Sequence, residues 1–381
     1  MKRMKFLLGL LIVFSLAVPV FSVSAKKFTM DTALQVDLRD VSDPVEVYQP
    51  FLDDLRLVTK LNVTFGGTNP DTFNDVADGN LIFGTGVTIQ SGIPAMELYF
   101  SMPFGMEGQE FISWLFEGGG LELAREFYAS RGVVPIPFRV TVAEGGGWFR
   151  EPIPNNPEEF NDWGIYGFTM RLYGLGGRVL TKAFPAIVTP PPTPGESALD
   201  DFRSGHYTAL EYSFPTLDKQ QFFDKPNEQG KPNIAQIVEA EGGQVQYYIG
   251  SWFQPMTYHE LWINKDFYDS LSQDVRDKID VVSRALVLRS LAETNEGQGA
   301  AVKFFQDQGV TVWAAWPEDI RDRLRLATIV LINERSAIDP EWAAVVESMK
   351  AFVKNEQTRW AEANEERGDR FDWPGWESII E

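Results

Sequence analysis

The chain of 381 residues contains no cysteine, so its fold cannot depend on disulfide bonds. Thiolate metal sites, iron–sulfur clusters and cysteine nucleophiles are excluded for the same reason. Only two histidines are present, which disfavours a histidine-rich metal centre. A hydrophobic core must therefore hold the chain together. A length of about two to three ordinary domains, with 44% hydrophobic residues, is sufficient to build one.

The charge of the chain is strongly acidic. Asp and Glu number 54 against 34 Lys and Arg, which gives a formal net charge of −20. Such a chain repels phosphate backbones, so nucleic acid is not expected as a partner.

The N-terminus has the pattern of a secretory signal peptide. Lys2, Arg3 and Lys5 precede the uncharged apolar run Phe6–Val18, and small residues lead to a cleavage site after Ala25. The alternative, a membrane anchor, is disfavoured because spanning a bilayer takes about 20 apolar residues. The sequence predicts removal of residues 1–25 and a mature chain in the periplasm.

Strand and helix patterns alternate along the mature chain. Strands are predicted at Leu61–Phe65, Leu81–Phe83, Val133–Val142, Phe168–Leu172 and Tyr207–Tyr212. Helices are predicted at Val41–Val58, before Gly118, at Arg178–Ala183, Glu196–Arg203 and Gln273–Gln308, from Pro317 through Ile332, and from Glu341 onward. This alternation favours an α/β fold. The Gly-rich break at Glu144–Gly147 is predicted to cross between two lobes.

Catalytic motifs give little support to an enzyme. Gly174–Gly177 lacks the spacing of a phosphate-binding loop, so we interpret it as a tight turn between a strand and a helix. No nucleophile elbow, zinc-protease helix, Walker or EF-hand pattern occurs. Carboxylates beside Trp and Tyr leave a two-carboxylate glycosidase as an alternative. His206 and His259 are interpreted as structural.

Arg171 and three oxygen-bearing side chains are candidates for binding. Arg171 stands in the otherwise uncharged run FTMRL, and its guanidinium suits either a ligand carboxylate or an ordinary salt bridge. Glu144, Glu211 and Gln254 lie near Gly, Trp, Tyr or Pro residues and carry oxygens of the kind that Na⁺ or Ca²⁺ prefers. Each of them alone is equally typical of an ordinary polar group.

Several segments together resemble the solute-binding proteins of TRAP transporters, DctP-type, in the branch that binds 2-oxo acids and related monocarboxylates with a metal ion. The matching residues are Met102–Met106 with Glu110, Trp114 and Gly118–Gly120; Gly147–Phe149; Met170–Arg171 with Gly174–Gly177; Gly195–Leu199 through Gly205; Glu211–Tyr212; Tyr247–Tyr248 with Trp252 and Pro255; and Asn264–Lys265. The resemblance covers about Phe28–Ala343, and the order and spacing of the motifs make it specific.

The resemblance implies a fold and a function. The fold is two-lobed, of the periplasmic-binding-protein type, with crossing hinge strands and a long helix spanning both lobes. The function is capture of a small carboxylate, of 2-oxo or 2-hydroxy acid type, for an ion-gradient-driven TRAP permease, without covalent chemistry. The implied lobes are 26–144 with 250–290 and 145–249 with 291–335. Residues 336–381 are predicted to be a C-terminal helical tail, with a possible homodimer through it.

The resemblance also assigns roles to residues. Arg171 is expected to clamp the substrate carboxylate, with Glu144, Thr88 and Trp252 as further substrate-binding residues. Glu211, the backbone carbonyl of Tyr212 and Gln254 are expected to hold a Na⁺ or Ca²⁺ ion.

This sequence departs from the family at Glu144, at Gln254 and at the pair Thr88 and Ile89. A family Gln has become Glu144 and a family metal-binding Glu has become Gln254, so we hypothesise that both face one cation and conserve its charge. That hypothesis requires the two residues to lie within about 8 Å of each other. Thr88 and Ile89 replace an aromatic pair, which makes an acid bulkier than pyruvate plausible.

Three further expectations complete the prediction. Arg178 is expected to lie in solvent rather than to serve a second carboxylate. Arg171→Ala is expected to abolish carboxylate binding with little loss of stability, because an exposed arginine contributes little to the fold. A periplasmic sensor module for a membrane receptor would have the same fold and remains an alternative.

Overall fold

The computed structural model describes residues 34–38, 49–61, 63–68 and 71–357. The strands are β1 (Leu34–Leu38), β2 (Val63–Thr68), β3 (Phe83–Val87), β4 (Val133–Val140), β5 (Gly147–Phe149), β6 (Met170–Arg171), β7 (Ala209–Leu210), β8 (Gln246–Gly250), β9 (Tyr258–Asn264) and β10 (Thr311–Ala315). The helices are α1 (Gln49–Thr59), α2 (Thr72–Ala77), α3 (Met96–Phe100), α4 (Gly108–Glu117), α5 (Gly120–Ala129), α6 (Pro157–Ile165), α7 (Gly174–Ala183), α8 (Ala198–Ser204), α9 (Pro215–Lys219), α10 (Lys225–Glu228), α11 (Ile234–Ala240), α12 (Lys265–Ser270), α13 (Gln273–Asn295), α14 (Gln298–Asp307), α15 (Glu318–Ser336) and α16 (Pro340–Phe352).

The strands form two separate five-stranded sheets. The first has the order β2-β1-β3-β9-β4 and the second the order β10-β8-β5-β7-β6. Each sheet mixes parallel and antiparallel neighbours; β9, for example, runs antiparallel to both β3 and β4. Helices cover the sheets and bury apolar side chains against them, which makes each sheet the centre of one lobe. The predicted two-lobed α/β fold is confirmed.

Two chain segments cross between the lobes and run beside each other. One joins β4 to β5 and the other joins β8 to β9. The amide of Thr141 donates to the carbonyl of Thr257 at 3.0 Å, and the amide of Glu144 donates to the carbonyl of Gln254 at 3.1 Å. These hydrogen bonds fix the crossing segments as a pair, so residues on both of them occupy defined positions between the lobes.

The helix that spans both lobes is α15; the resemblance implied such a helix without giving its position in the sequence. Ile320 and Leu324 of α15 lie in the core of the second lobe, whereas Ile332 lies in a core cluster of the first. The helix predicted at Gln273–Gln308 is interrupted after Asn295, because Gly297 adopts a left-handed conformation with φ of 80° before α14 begins. The apolar periodicity continued across this break, which is why the sequence did not reveal it.

Other predicted elements agree in place with the structure, apart from their ends. Gly118 ends α4 and Gly205 ends α8, as their positions after apolar runs predicted. Gly174–Gly177 does not form a separate tight turn; these residues are the first turn of α7. The predicted helix residues 41–48, the signal peptide at 1–25 and the tail from 358 onward lie outside the described residues. Over the described part of the chain, no helix combines the length and apolarity needed to cross a membrane.

The positions of the strands can be compared with the predicted lobe boundaries, which stay a prediction. Every strand of the first sheet falls within 26–144 or 250–290, and those of the second fall within 145–249 or 291–335, except that β8 ends on Gly250. The described part of the predicted tail packs onto the first lobe, where Trp342, Val346 and Met349 of α16 join its core. The tail-mediated dimer depends on residues outside the described part.

Glu260 is a fully buried carboxyl in the first lobe, and it makes stability depend on pH. Its Oε2 accepts a hydrogen bond from Trp262 at 3.0 Å. Burial raises its pKa from 4.5 to about 7, although the hydrogen bond from Trp262 and the nearby hydroxyls of Tyr128 and Tyr258 oppose that rise. Because the folded pKa exceeds the unfolded one, Glu260 contributes most stability below pH 4.5 and loses that contribution as the pH rises through about 7.

We therefore expect Glu260→Gln to stabilise the protein at pH 8 relative to wild type and to have little effect at pH 5. At about 1.4 kcal/mol per pKa unit, ionising this carboxyl inside the fold costs on the order of 3 kcal/mol. Thermal unfolding of both proteins between pH 5 and pH 9 measures the difference. A gap between the two proteins that does not widen with rising pH would contradict this account.

Candidate functional site

A cavity of about 230 Å³ lies between the two lobes. The first lobe, the crossing segments and the second lobe all contribute to its wall. Its lining residues are Val87, Gln90, Phe100, Arg139, Thr141, Glu144, Arg171, Tyr173, Glu211, Tyr212, Ser213, Phe214, Leu217, Gln254, Thr257 and His259. The volume lies below the usual range of about 300–1,000 Å³ for drug-sized ligands, which fits a small solute.

The structure brings five of the seven predicted site residues to this cavity. These five are Arg171, Glu144, Glu211, Tyr212 and Gln254. They come from four segments that are far apart in sequence: the ends of β6 and β7 and the two crossing segments. The positions of the remaining two, Thr88 and Trp252, are different and are described below.

Arg171 and Glu211 are neighbours at the ends of parallel strands. β6 pairs with β7 so that Arg171 lies beside Leu210, and the amide of Glu211 donates to the carbonyl of Arg171 at 3.1 Å. Nη1 of Arg171 donates to the backbone carbonyl of Glu211 and lies 3.3 Å from its Oε2. The guanidinium also lies over the ring of Tyr212, 5.3 Å from the centroid. The sequence left Arg171 either a ligand carboxylate or an ordinary salt bridge; the salt bridge is present, and it lies within the candidate site.

Glu144 is held by the crossing segments. Its Oε1 accepts hydrogen bonds from Nε2 of Gln254 at 2.8 Å and from Oγ1 of Thr257 at 2.6 Å. The contact between Glu144 and Gln254 meets the distance condition for the hypothesis that both face one cation. The next residue, Gly145, has no side chain, and an added Cβ there would lie only 2.2 Å from the hydroxyl of Tyr247.

Three carboxyls are crowded together at this site. Glu144, Glu211 and Asp218 are 6%, 2% and 1% exposed. Burial raises the pKa of Glu144 well above its ordinary range, and the charge of Glu211 and a hydrogen bond with it raise it further. Burial also raises the pKa of Asp218, although hydrogen bonds from Trp148 and the amide of Ser213 oppose that rise. For Arg171, burial alone would lower the pKa, but the charges of Glu211, Tyr212 and Glu144 outweigh it and raise it.

The donor set of this cluster fits a hard cation. Among the described residues, no group of three acidic or histidine side chains is arranged to hold a metal by itself. The carboxylates of Glu144 and Glu211 would therefore need the amide oxygen of Gln254 and the backbone carbonyl of Tyr212 to complete a set of oxygen ligands. The crowding that raises the pKa of Glu144 is the interaction that a bound cation would relieve.

Thr88 and Trp252 do not line the cavity. Oγ1 of Thr88 donates to the carbonyl of Met96 at 2.9 Å, inside the first lobe, and it is Val87 that reaches the cavity instead. Trp252 is 3% exposed and stacks on Phe104 with ring centroids 5.7 Å apart. It belongs to the core of the second lobe and supports the crossing segment that presents Gln254.

Two contacts join the lobes beside the cavity. The rings of Phe100 and Tyr173 meet edge to face, with centroids 5.7 Å apart. Arg178 forms an ion pair with Glu97, with Nη1 and Oε1 3.2 Å apart. Arg178 is thus half exposed, in keeping with the expected surface position, but it is engaged with the opposite lobe.

Sequence reasoning missed several lining residues, notably Arg139, Gln90 and His259. His259 was interpreted as structural, yet it faces the cavity from β9. Arg139 stands in a predicted strand that contains no other charge, VVPIPFRVTV. That is the signal that singled out Arg171, and it was present at Arg139 as well.

Comparison with characterised proteins supports the predicted resemblance. No protein-family model matches the chain. A monocarboxylate 2-oxoacid-binding periplasmic protein of Nostoc sp. is 25% identical over 278 residues, which are 73% of this chain and 69% of that protein.

Solved structures show the same fold. A TRAP periplasmic solute-binding protein from Colwellia psychrerythraea, with bound calcium and pyruvate, has a TM-score of 0.72 at 21% identity and covers 88% of this chain and 98% of its own. One from Pseudoalteromonas atlantica, with bound sodium and pyruvate, has a TM-score of 0.71 at 22% identity, over 88% of this chain and 97% of its own. The resemblance to TRAP solute-binding proteins is confirmed by these comparisons.

Proposed function

We propose that this chain is a periplasmic solute-binding protein that captures a small 2-oxo or 2-hydroxy carboxylate and delivers it to an ion-gradient-driven TRAP permease. The observation that carries the proposal is the meeting of Arg171, Glu144, Glu211 and Gln254 in one cavity between two lobes. The relatives described above, which bind 2-oxo acids or pyruvate, support the same solute class.

Arg171 is the group that binds the solute carboxylate. Its guanidinium lines the cavity, and a planar donor fork pairs with a carboxylate through two charge-assisted hydrogen bonds. The side chain and the backbone carbonyl of Glu211 hold the guanidinium in place. The binding group is thereby positioned before the solute arrives, which reduces the entropy lost on binding.

A Na⁺ or Ca²⁺ ion completes the site by neutralising the buried carboxylates. Glu144, Glu211, Gln254 and the carbonyl of Tyr212 would hold it. A cation beside Arg171 would also attract the acid and the neighbouring oxygen of a 2-oxo or 2-hydroxy group. Capture then consists of pairing the carboxylate, binding the cation and stabilising the closed arrangement of the lobes through contacts to both.

Binding without turnover is part of the proposal. A glycosidase needs its two carboxylates about 5–9 Å apart to flank a sugar bond. The cavity that Glu144 and Glu211 line is instead small for an oligosaccharide. A sensor module would use the same site, and the genes beside this one, permease or receptor kinase, separate the two roles.

A thermal-shift screen of the mature protein tests the proposed function. We expect 2-oxo and 2-hydroxy acids to raise the unfolding temperature, and to do so more strongly with calcium or sodium than with chelator. A solute at about 100 times its dissociation constant stabilises by about 2.7 kcal/mol. Sugars serve as the control panel, because a neutral sugar has no carboxylate to pair with Arg171.

The outcomes of the screen are distinct. A carboxylate response that weakens with chelator supports both the solute and the cation. A carboxylate response that does not change with cations supports the proposed solute class and contradicts the proposed cation site. Silence on every acid together with a response to sugars, or turnover of an aryl glycoside, would overturn the proposed function.

A further inference from the structure

A second cavity, here called the distal cavity, lies in the second lobe. Its volume is about 340 Å³, and it shares no lining residue with the cavity between the lobes. Thr208, directly before β7, lines the distal cavity, whereas Glu211, directly after β7, lines the cavity between the lobes. The two cavities therefore lie at opposite ends of this strand. The volume falls in the usual range of about 300–1,000 Å³ for small-ligand sites.

Four of the residues that line the distal cavity are aromatic: Phe149, Trp163, Tyr166 and Phe168. The end of α6 brings three of them together. Gly167 adopts a left-handed conformation with φ of 94°, and the amide of Phe168 donates back to the carbonyl of Trp163 at 2.9 Å. The rings of Trp163 and Phe168 are inclined by 49° with centroids 5.3 Å apart, so they form two walls at an angle.

The other two rings form the inner and outer parts of the wall. Phe149 is buried and stacks on Phe168, with centroids 6.2 Å apart. The side chain of Tyr166 is 86% exposed, and within the described part of the chain no other ring contacts it. A large ring left in water beside a cavity gains free energy when a ligand covers it. The wall is thus aromatic from its buried interior to its rim.

The charges at the distal cavity leave one carboxylate without a partner. Arg150 lines the cavity, but it forms an ion pair with Glu241 and donates to the carbonyl of Phe202. Its guanidinium also lies 4.3 Å from the centroid of the Phe202 ring. Glu151 lines the cavity as well, is exposed, and has no ion-pair partner among the described residues. The positive charge at the cavity is therefore compensated, whereas the negative charge of Glu151 is not.

We infer that the distal cavity binds a small organic cation with a fully alkylated ammonium group, its methyl groups against the aromatic rings and its charge near Glu151. The faces of aromatic rings attract cations, and tryptophan does so most strongly. The hydroxyl of Thr208 already donates to the carbonyl of Thr169 at 2.8 Å, so the cavity offers few acceptors to a cation that carries N–H groups. An anion would be repelled by Glu151 and by the negative ring faces. This inference goes beyond the proposed function, because it concerns a different cavity.

Ligand-observed NMR titration of the purified protein with choline tests this inference. The matched neutral probe is 3,3-dimethylbutan-1-ol, in which carbon replaces the ammonium nitrogen and the shape is kept. We expect choline to bind about tenfold more tightly or better, because attraction to the rings and to the carboxylate acts only on the charged probe. Ethanolamine, which has N–H groups in place of methyl groups, should bind more weakly than choline. Saturating pyruvate with calcium should leave choline binding unchanged.

Two variants locate the site. Tyr166→Ala should weaken choline binding by roughly three- to thirtyfold, the range for losing a cation–π contact. Glu151→Gln should weaken it by about two- to fivefold, as for an exposed ion pair, and should leave binding of the neutral probe unchanged. Both side chains are exposed, so both variants should fold. Ile165→Ala and Glu159→Gln change exposed residues of α6 that do not line the cavity, and they are the matched controls.

Several results would overturn the inference. Equal affinity for choline and its neutral analogue would remove the role of the charge, and ethanolamine binding as tightly as choline would remove the preference for an alkylated nitrogen. Displacement of choline by pyruvate with calcium would place it in the cavity between the lobes. Wild-type affinity in Tyr166→Ala, or an equal loss in Ile165→Ala, would refute the location. Absence of choline binding would refute the site and leave the capture of carboxylates, which the thermal-shift screen tests, unaffected.

Discussion

Replacing Arg171 with alanine is expected to abolish carboxylate binding and also to destabilise the fold. The first effect follows from loss of the donor fork in the cavity. Truncating one partner of a buried, hydrogen-bonded charge pair costs about 2–5 kcal/mol, which corresponds to a loss of affinity from roughly 30-fold to several thousandfold. Calorimetric titration with a 2-oxo acid measures this loss.

The loss of stability corrects the sequence-based expectation that Arg171→Ala would leave the fold almost unaffected. The side chain of Arg171 is 25% exposed, but its partner Glu211 is only 2% exposed. Removing the guanidinium leaves the buried carboxylate of Glu211, which lies near Glu144, without its positively charged partner. Breaking a fully buried pair costs about 3–5 kcal/mol. The partial exposure of Arg171 reduces this, so we expect on the order of 2 kcal/mol.

A double variant separates the two effects. Arg171→Ala with Glu211→Gln removes both charges together, so it should recover most of the lost stability while binding stays absent. Unfolding by denaturant and titration with the acid report the two quantities independently. Wild-type affinity in Arg171→Ala would refute the role of Arg171. Equal stability of the single and double variants would refute the account of Glu211.

The sequence predicted the site better on the second lobe than on the first. Arg171 and Glu211 were identified from family motifs at the ends of strands, and this identification does not depend on the register in which the strands pair. Val87, the last residue of β3, faces the cavity, whereas Thr88 begins the 3-10 helix Thr88–Ser91 and its hydroxyl donates to a carbonyl inside the first lobe. Arg139 is the only charged residue in VVPIPFRV, but it reaches the cavity through a bulge, and no local pattern in that run predicts the bulge.

Tertiary packing likewise decided the elements that the sequence misjudged. Gly174–Gly177 favours a turn by composition, yet these glycines begin α7 because its first turn packs closely on the lobe. A Cβ on Gly177 would lie 2.8 Å from the carbonyl oxygen of Leu172. Trp252 carries a motif of the family, but its ring fills the core between Phe104 and Trp316 rather than the cavity. Such choices depend on neighbours that are distant in sequence.

The second large effect concerns the cation. Glu144→Gln is expected to weaken calcium binding by about ten- to a hundredfold, because the number of charged ligands sets the affinity of an oxygen site. Calcium titration of protein freed of metal by chelation measures the change. Glu260→Gln, which removes another fully buried carboxyl of the first lobe, is the matched control. It should bind calcium as wild type does.

The exchange of Glu and Gln relative to the family makes a sharper test possible. Nε2 of Gln254 lies 2.8 Å from Oε1 of Glu144, so exchanging the two residues moves the negative charge only to the neighbouring side chain. We expect Glu144→Gln with Gln254→Glu to restore calcium affinity to within about tenfold of wild type, since charge and oxygen count are conserved. Failure of the double variant to recover, while it folds normally, would show that the two positions do not serve one ion.

Cation and acid should also strengthen each other's binding by the same factor. If calcium raises the affinity for the acid, thermodynamic linkage requires the acid to raise the affinity for calcium equally. In Glu144→Gln that common factor should shrink toward one, because the carboxylate that places the cation beside Arg171 is gone. A factor that stays unchanged would mean that the cation and the acid bind at separate places. The crowding of Glu144, Glu211 and Arg171 at one cavity wall argues for a single composite site.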